Sequence, residues 1–152
     1  MLELSGQLNL FENAGPLQER LQAEEPFATA AAMLARARAI LNGLSEAEQI
    51  AVINAHPRIG ERRDRMSAAS FSEQGYDRDT TPPEVFRRLA TLNEEYEQKF
   101  GFRFVVFVNR RSKEAIVRVL EARLRGTREQ ELRTALREFL AIAADRLKRE
   151  ES

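Results

Sequence analysis

The stretch VINAHPRIGER, residues 52–62, holds the only histidine of the chain, His56, directly before Pro57. A residue before proline is pushed out of the α region, so the helical pattern that precedes it predicts His56 at a helix end. The last carbonyls of a helix carry partial negative charge, which favours an imidazolium. Such a histidine could pair with an anionic substrate or deliver a proton near neutral pH. Equally, it could only cap carbonyls, and both interpretations stay open here.

A second polar group is the stretch SFSEQ, which places Ser70, Glu73 and Gln74 three and four residues apart. On one helical turn this spacing puts a hydroxyl, a carboxylate and an amide on the same face. The alternative is structural, because Ser70 and Glu73 also have the spacing of a capping box that starts a helix.

The composition argues against several other classes of chemistry and of binding partner. There is no cysteine and only one histidine, so thiolate chemistry is excluded, a metal site is not expected, and the sequence has no glycine-rich phosphate loop. Lysine plus arginine balances aspartate plus glutamate at 24 each, which argues against nucleic acid or an anionic membrane as partner. Several arginines flank the polar groups, and one near His56 could hold a carboxylate bidentately. They are Arg62, Arg63, Arg65, Arg110 and Arg111.

Apolar residues recur at helical spacing along most of the chain, which predicts an all-α fold. Pro16 indicates the first helix, and a long apolar stripe runs from Val85 to Phe100. Residues 58–80 are the least periodic and predict a functional loop with at most a short helix at 70–74. Polar residues predicted to start helices are Ser45 with Glu48, Thr81 with Glu84, Ser112, and Thr127 with Gln130.

One segment departs from the helical pattern. FGFRFVVFVN, residues 100–109, is aromatic and β-branched, and propensity alone predicts a strand. A lone strand has no partner, so a buried extended segment or a helix imposed by its surroundings are the alternatives.

The length of 152 residues suits one domain, residues 1–152, built as a bundle of about seven to eight helices. No window approaches 18 consecutive apolar residues, and the N-terminus lacks a basic region followed by an apolar run. We therefore expect a soluble, cytoplasmic protein without a membrane partner.

Taken in order, AHPRIG, SxxEQ, LNEEYEQKFGFRFVV and SKEAI…LEARL…RTALREFLAIAADRL resemble the family of 2-oxo-4-hydroxy-4-carboxy-5-ureidoimidazoline (OHCU) decarboxylases. The resemblance covers roughly residues 10–149. Each motif is weak alone, and the specificity lies in their order and spacing.

The resemblance implies an all-α, homodimeric, cofactor-free lyase of urate breakdown that converts the ureidoimidazoline substrate to (S)-allantoin and carbon dioxide. It implies that His56 is the catalytic histidine, which either donates the proton or holds the hydroxyl and carboxylate region of the substrate during cleavage. It also implies that Glu73 positions the substrate and tunes His56. The remaining residues are implied to contact substrate. They are Pro57, Ser70 and Gln74 through their matched positions, and Phe104, Val105, Val106, Phe107 and Val108 through backbone groups.

The chain departs from the family pattern in three places. Phe107 stands where cysteine is common, Asn109 stands where arginine is common, and EQGYDRD replaces a small-residue stretch after Gln74. A functional association with hydroxyisourate hydrolase or urate oxidase is a further expectation. The alternative function is a non-catalytic helical module that binds a urate-pathway partner, although such a module has no need of the polar set around His56.

Overall fold

The computed structural model of the chain describes residues 15–59 and 81–151. Within these ranges there are six helices and no strand, which confirms the all-α prediction. They are α1 (Gly15–Ala23), α2 (Ala30–Gly43), α3 (Glu46–Asn54), α4 (Pro83–Phe100), α5 (Lys113–Arg123) and α6 (Arg128–Glu151). The short helix predicted at 70–74 lies outside the described residues. None of the six combines the length and apolarity needed to cross a bilayer.

The chain divides into two compact units. The first unit consists of Met1–His56 and Leu136–Ser152, and the second unit of Pro57–Ala135, so α6 contributes to both. In the first unit, α1 packs against α2 and α3. Leu17 and Leu21 of α1 are fully buried, as is Met33 of α2. Their burial removes apolar surface from water, which is the main force holding these short helices together.

The start of α3 is fixed by the predicted capping box. The Ser45 hydroxyl accepts from the Glu48 backbone amide at 3.2 Å, and the Glu48 carboxylate accepts from the Ser45 backbone amide at the same distance. Two backbone amides that have no partner within the helix are thereby satisfied, and the acidic side chain lies at the positive end of the helix. The helix that carries the chain towards His56 therefore has a defined first residue.

In the second unit, α4 packs against α5. The predicted stripe of α4 is buried at Leu89, Leu92, Tyr96 and Phe100, and Val85 is half-buried. The helix ends at Gly101, whose φ of 82° is left-handed, and the Gly101 amide donates to the Glu97 carbonyl at 2.8 Å. A glycine adopts this conformation without steric cost, so it ends α4 cleanly.

Two of the remaining predicted helix starts are confirmed. Ser112 caps α5 through a 3.1 Å bond to the Ala115 amide, and Thr127 and Gln130 exchange bonds of 3.1 and 3.2 Å before α6. The prediction for Thr81 with Glu84 is wrong, because α4 begins one residue later with Pro82 as N-cap and no side-chain cap bond. Pro83 takes the first helical position, where its missing N–H costs nothing.

The strand-like segment after α4 forms neither helix nor strand. Phe102, Phe104 and Val105 are almost completely buried. The segment is thus buried, and the strand and the imposed helix are both wrong. Asn109 and Arg110, both at positive φ, then reverse the chain into α5.

Two glycines at helix ends test this account of the fold. We expect Gly101→Ala to lower the free energy of unfolding by about 1 kcal/mol, because alanine at φ 82° is strained even though the space for its Cβ is open. The matched control is Gly43→Ala, which also meets open space but ends α2 in helical conformation. It should be neutral or slightly stabilising in urea titrations. Equal losses would contradict the conformational explanation.

Candidate active site

His56 follows the last turn of α3 and is buried, with 6% of its surface exposed. Three carbonyls of that turn accept hydrogen bonds from backbone amides. The Ala55 amide donates to the Ala51 and Val52 carbonyls, and the His56 amide donates to the Ile53 carbonyl at 3.1 Å. The imidazole is therefore not required to cap these three carbonyls. Pro57 follows, has no N–H to extend the helix, and is itself buried.

The residues just after Pro57 are fixed to α4 within the second unit. Arg58 forms a bidentate ion pair with Glu97, with Nε to Oε2 at 2.6 Å and Nη2 to Oε1 at 2.9 Å. Beside it, the buried Asn93 amide donates from Nδ2 to the Ile59 carbonyl at 3.0 Å. Two independent contacts thus hold residues 58 and 59 on one face of the helix, which limits where the adjoining Pro57 can lie.

A cavity of about 460 Å³ lies over the same face of α4, and Arg58, Asn93 and Glu97 line it. The Asn93 Oδ1 atom is buried and has no hydrogen-bond partner among the described residues. The described lining of this cavity contains none of the residues predicted to contact substrate.

The segment Phe104–Val108 has several of its backbone carbonyls occupied by arginine. Arg123 donates from Nη1 to the Val105 carbonyl at 2.6 Å. Arg111 donates from Nη2 to the Phe107 carbonyl and from Nε to the Val108 carbonyl at 3.0 Å. The segment therefore replaces the hydrogen bonds of a strand ladder with bonds to guanidinium groups.

Arg123 belongs to a buried polar cluster. Its Nε donates to Glu131 Oε1 at 2.7 Å, and the Tyr96 hydroxyl donates to the same oxygen at 2.7 Å. The Arg123 and Glu131 side chains are only 11% and 6% exposed, and the guanidinium lies 4.5 Å from the centre of the Phe104 ring. Burial raises the pKa of the Tyr96 phenol well above its ordinary value, and the nearby Arg123 charge only partly offsets this.

The structure describes some of the predicted site residues and not others. His56 lies in the first unit, whereas Pro57 and Phe104–Val108 lie in the second unit. Phe104, Val105, Val106 and Val108 are buried and Phe107 is half-buried. The predicted Ser70, Glu73 and Gln74, and the arginines Arg62, Arg63 and Arg65, lie outside the described residues.

Sequence reasoning missed three charged residues. The sequence patterns single out neither Arg123 nor Glu131, although their hydrogen bonds reach Val105 and Tyr96. Arg146 of α6 is 4% exposed, in the same unit as His56. No local pattern marks these residues, since charged residues surround all three along the chain.

The chain is similar to known proteins over nearly its whole length. The family model described as OHCU decarboxylase matches residues 7–148. A 2-oxo-4-hydroxy-4-carboxy-5-ureidoimidazoline decarboxylase of Halalkalicoccus jeotgali is 30% identical over 139 residues, which is 91% of this chain and 79% of that protein. The uric acid degradation bifunctional protein PucL of Bacillus subtilis is 29% identical over 91% of this chain, but this match spans only 28% of PucL.

The fold has solved relatives. A crystal structure of an OHCU decarboxylase in the presence of (S)-allantoin superposes with a TM-score of 0.75 at 22% identity, covering 93% of this chain and 94% of that one. At this identity the match establishes the shared fold.

The raised pKa of Tyr96 gives a pH prediction. The chain has two tyrosines, so Tyr76→Phe leaves Tyr96 as the only phenol. We expect no phenolate absorbance from the folded protein near pH 10, where a free tyrosine ionises. Near pH 10 the Tyr96 phenol loses its proton in the unfolded chain but not in the folded protein. The contribution of Tyr96 to stability should therefore fall as pH rises above about 10. Reversible ionisation near pH 10 with the helical circular dichroism intact would refute this.

The Arg58 ion pair gives a stability prediction. Glu97→Gln should lower the free energy of unfolding by about 1 kcal/mol, because the pair is bidentate yet its side chains remain 38% and 26% exposed. The matched control is Glu94→Gln, one turn earlier, whose carboxylate accepts a long 3.4 Å bond from Gln98 in the described part of the chain. This control should stay within about 0.5 kcal/mol of wild type in chemical denaturation. Indistinguishable variants would mean that the ion pair contributes nothing measurable.

Proposed function

The chain belongs to the OHCU decarboxylase family, and from this premise we propose that it decarboxylates 2-oxo-4-hydroxy-4-carboxy-5-ureidoimidazoline to (S)-allantoin and carbon dioxide in urate breakdown. The observation that carries the proposal is the family match over residues 7–148, nearly the whole chain. We propose that residues 1–152 act as one OHCU decarboxylase-like domain.

The reaction can proceed without a cofactor because the substrate supplies its own electron sink. The bond between the ring carbon and the carboxylate breaks, carbon dioxide leaves, and the electron pair stays on the ring carbon. The ring imine delocalises this pair, as a pyridoxal cofactor would in other decarboxylases. The resulting enol must then lose its hydroxyl proton to become the ring carbonyl, and a proton must reach the neighbouring ureido-bearing carbon from one face, because that carbon is the stereocentre of allantoin. The protein has to orient the substrate, stabilise the developing charge and supply that proton.

We assign the proton transfer to His56. The backbone satisfies the Ala51, Val52 and Ile53 carbonyls, so these helix carbonyls do not require the imidazole as a cap. Burial keeps the ring away from bulk water, which would otherwise compete to deliver a proton from either face. A single donor on one side is what an (S)-specific product requires.

We assign substrate binding to residues before, within and after the range 60–80, which lies outside the described residues. Glu73 would position the substrate and tune His56, and its charge close to the substrate carboxylate would favour loss of carbon dioxide. Ser70, Gln74 and Pro57 would contact the substrate. The Val105, Phe107 and Val108 carbonyls already accept hydrogen bonds from arginine, so we expect the amide donors of Phe104–Val108 to face the acceptor-rich substrate.

Arg146 is our candidate for holding the substrate anion. It is the buried arginine among the described residues of the unit that contains His56. A buried guanidinium offers fixed, paired donors that match a carboxylate.

We further propose that the protein acts as a homodimer and associates with hydroxyisourate hydrolase or urate oxidase. The support for a urate-pathway association is that uric acid degradation bifunctional proteins of Bacillus subtilis and a Bacillus species match this chain. A decarboxylase next to the enzyme that releases its substrate would act before spontaneous decay does.

The test follows substrate generated from urate by urate oxidase and hydroxyisourate hydrolase, with product formation monitored by circular dichroism. Wild type should give a rapid (S)-allantoin signal. His56→Gln should lower the rate by about 100-fold or more, since a general acid is lost, and decay should then give a racemic product without signal.

The matched control is Asn54→Ala, which removes an exposed polar side chain from the last turn of the same helix. It should retain the wild-type rate and signal. A folded wild type that leaves the decay unchanged would overturn the proposed activity. A folded His56→Gln that still forms (S)-allantoin at the wild-type rate would remove His56 from the mechanism.

A further inference from the structure

The buried segment Phe104–Val108 obtains hydrogen bonds at two alternate carbonyls from two different arginines. Arg123 reaches the Val105 carbonyl and Arg111 reaches the Phe107 carbonyl. Each carbonyl belongs to a planar trans peptide group whose other end is the N–H of the next residue, Val106 or Val108. In a trans peptide the carbonyl and the N–H point in opposite directions. The two arginines thus bind the Val105 and Phe107 carbonyl oxygens, and the Val106 and Val108 N–H groups of the same peptides point away from these arginines.

A cation bonded to a carbonyl changes the N–H of the same peptide group. It draws electron density towards the oxygen, which makes the N–H a stronger donor, and this effect is larger where the dielectric is low. Arg123 meets that condition, because only 11% of its side chain is exposed and its bond to the Val105 carbonyl is short, at 2.6 Å. Arg111, by contrast, is exposed, so its field is screened more strongly.

Three further side chains fix the orientation of the Arg123 guanidinium. Glu131 accepts from Nε, the Tyr96 hydroxyl lies 3.4 Å from Nη2, and the Phe104 ring packs against the guanidinium plane. Tyr96 in turn donates to Glu131, so the carboxylate cannot turn away without losing two bonds. Such a closed network keeps a long side chain in one geometry.

We propose that Arg123 is a positioning residue of the decarboxylase site. It holds the Val105–Val106 peptide so that the Val106 N–H is an aimed and polarised donor to the ring atom on which negative charge collects as carbon dioxide leaves. Glu131 and Tyr96 hold Arg123 in place. This inference rests on the proposed function, because the assignment of Phe104–Val108 to substrate binding comes from the family resemblance.

A donor directed at developing charge acts more strongly in the transition state than in the ground state. Loss of the Arg123 bond should therefore lower kcat much more than it changes KM. The N–H itself would remain, so the loss should be smaller than the roughly 100-fold that follows removal of such a donor. We expect a fall in kcat of about 10-fold.

The test uses Arg123→Lys in the full chain, which keeps the positive charge but not the planar fork. We expect kcat to fall about 10-fold at nearly unchanged KM, and the Val106 amide proton to move upfield in ¹H–¹⁵N spectra as its donor strength falls. The matched control is Arg128→Lys. Arg128 also donates to a backbone carbonyl, that of Phe100 at 3.0 Å, and also lies over an aromatic ring, that of Phe102. It should alter neither kcat nor the Val106 signal.

Tyr96→Phe is the second variant, because it removes only the hydroxyl and keeps the packed ring. It should shift the Val106 amide in the same direction and lower kcat by a smaller factor. The proposal is overturned if folded Arg123→Lys keeps the wild-type kcat, or if only KM changes. It is equally overturned if Arg123→Lys does not fold and Tyr96→Phe leaves both kcat and the Val106 amide unchanged.

The two proposals fail in different ways. A wild type with no decarboxylase activity overturns the proposed function and, with it, the catalytic role of Arg123. An active wild type with an unaltered, folded Arg123→Lys leaves the decarboxylase intact and removes only the positioning role.

Discussion

The bond from Arg123 to the Val105 carbonyl is the interaction on which the second unit depends. A buried backbone carbonyl that lacks a partner costs a desolvation penalty of about 1–3 kcal/mol, and the described part of the chain holds no strand that could pair with the Val105 segment. The Arg123 guanidinium supplies the missing hydrogen-bond donor, but it places a positive charge in the interior. Glu131 balances that charge, and Tyr96 satisfies the carboxylate in turn. One irregular segment therefore requires three polar side chains from three helices.

This arrangement differs from a surface ion pair in its consequences. Exposed pairs such as Arg88 with Glu121 are screened by water and contribute little. In the Arg123 cluster the charges are desolvated, so loss of one member leaves another uncompensated, and its substitution is expected to be costly. Stability and positioning of the segment are therefore controlled by the same few side chains.

Local rules predicted much of the fold and little of this cluster. The caps at Ser45, Ser112 and Thr127 depend on neighbours within four residues, so the sequence alone predicts them correctly. The prediction failed at Thr81, because two following prolines permit a helix start without a side-chain cap. The partners of Arg123 and Tyr96 are 8 to 35 residues distant along the chain, and no periodicity encodes such pairs.

Prediction of the candidate site shows the same division. His56 is a candidate because of its place after a helical pattern, and the structure describes it as buried. Pro57 and the segment from Phe104 to Val108 are candidates only through the family resemblance, and the composition of that segment predicts a strand. Whether a β-branched run pairs with another strand or is enclosed by helices depends on the rest of the fold, which composition does not contain.

The apolar run FRFVVFV also has a consequence for the protein outside its native state. Seven residues with high β propensity, little charge and no proline or glycine have the composition of segments that stack into cross-β fibrils. In the native chain, burial hides these side chains and the arginines occupy backbone groups that would otherwise act as a template. The bonds that order this segment are thus also a guard against self-association, and partial unfolding that frees Arg123 would expose the stretch best suited to nucleate aggregation.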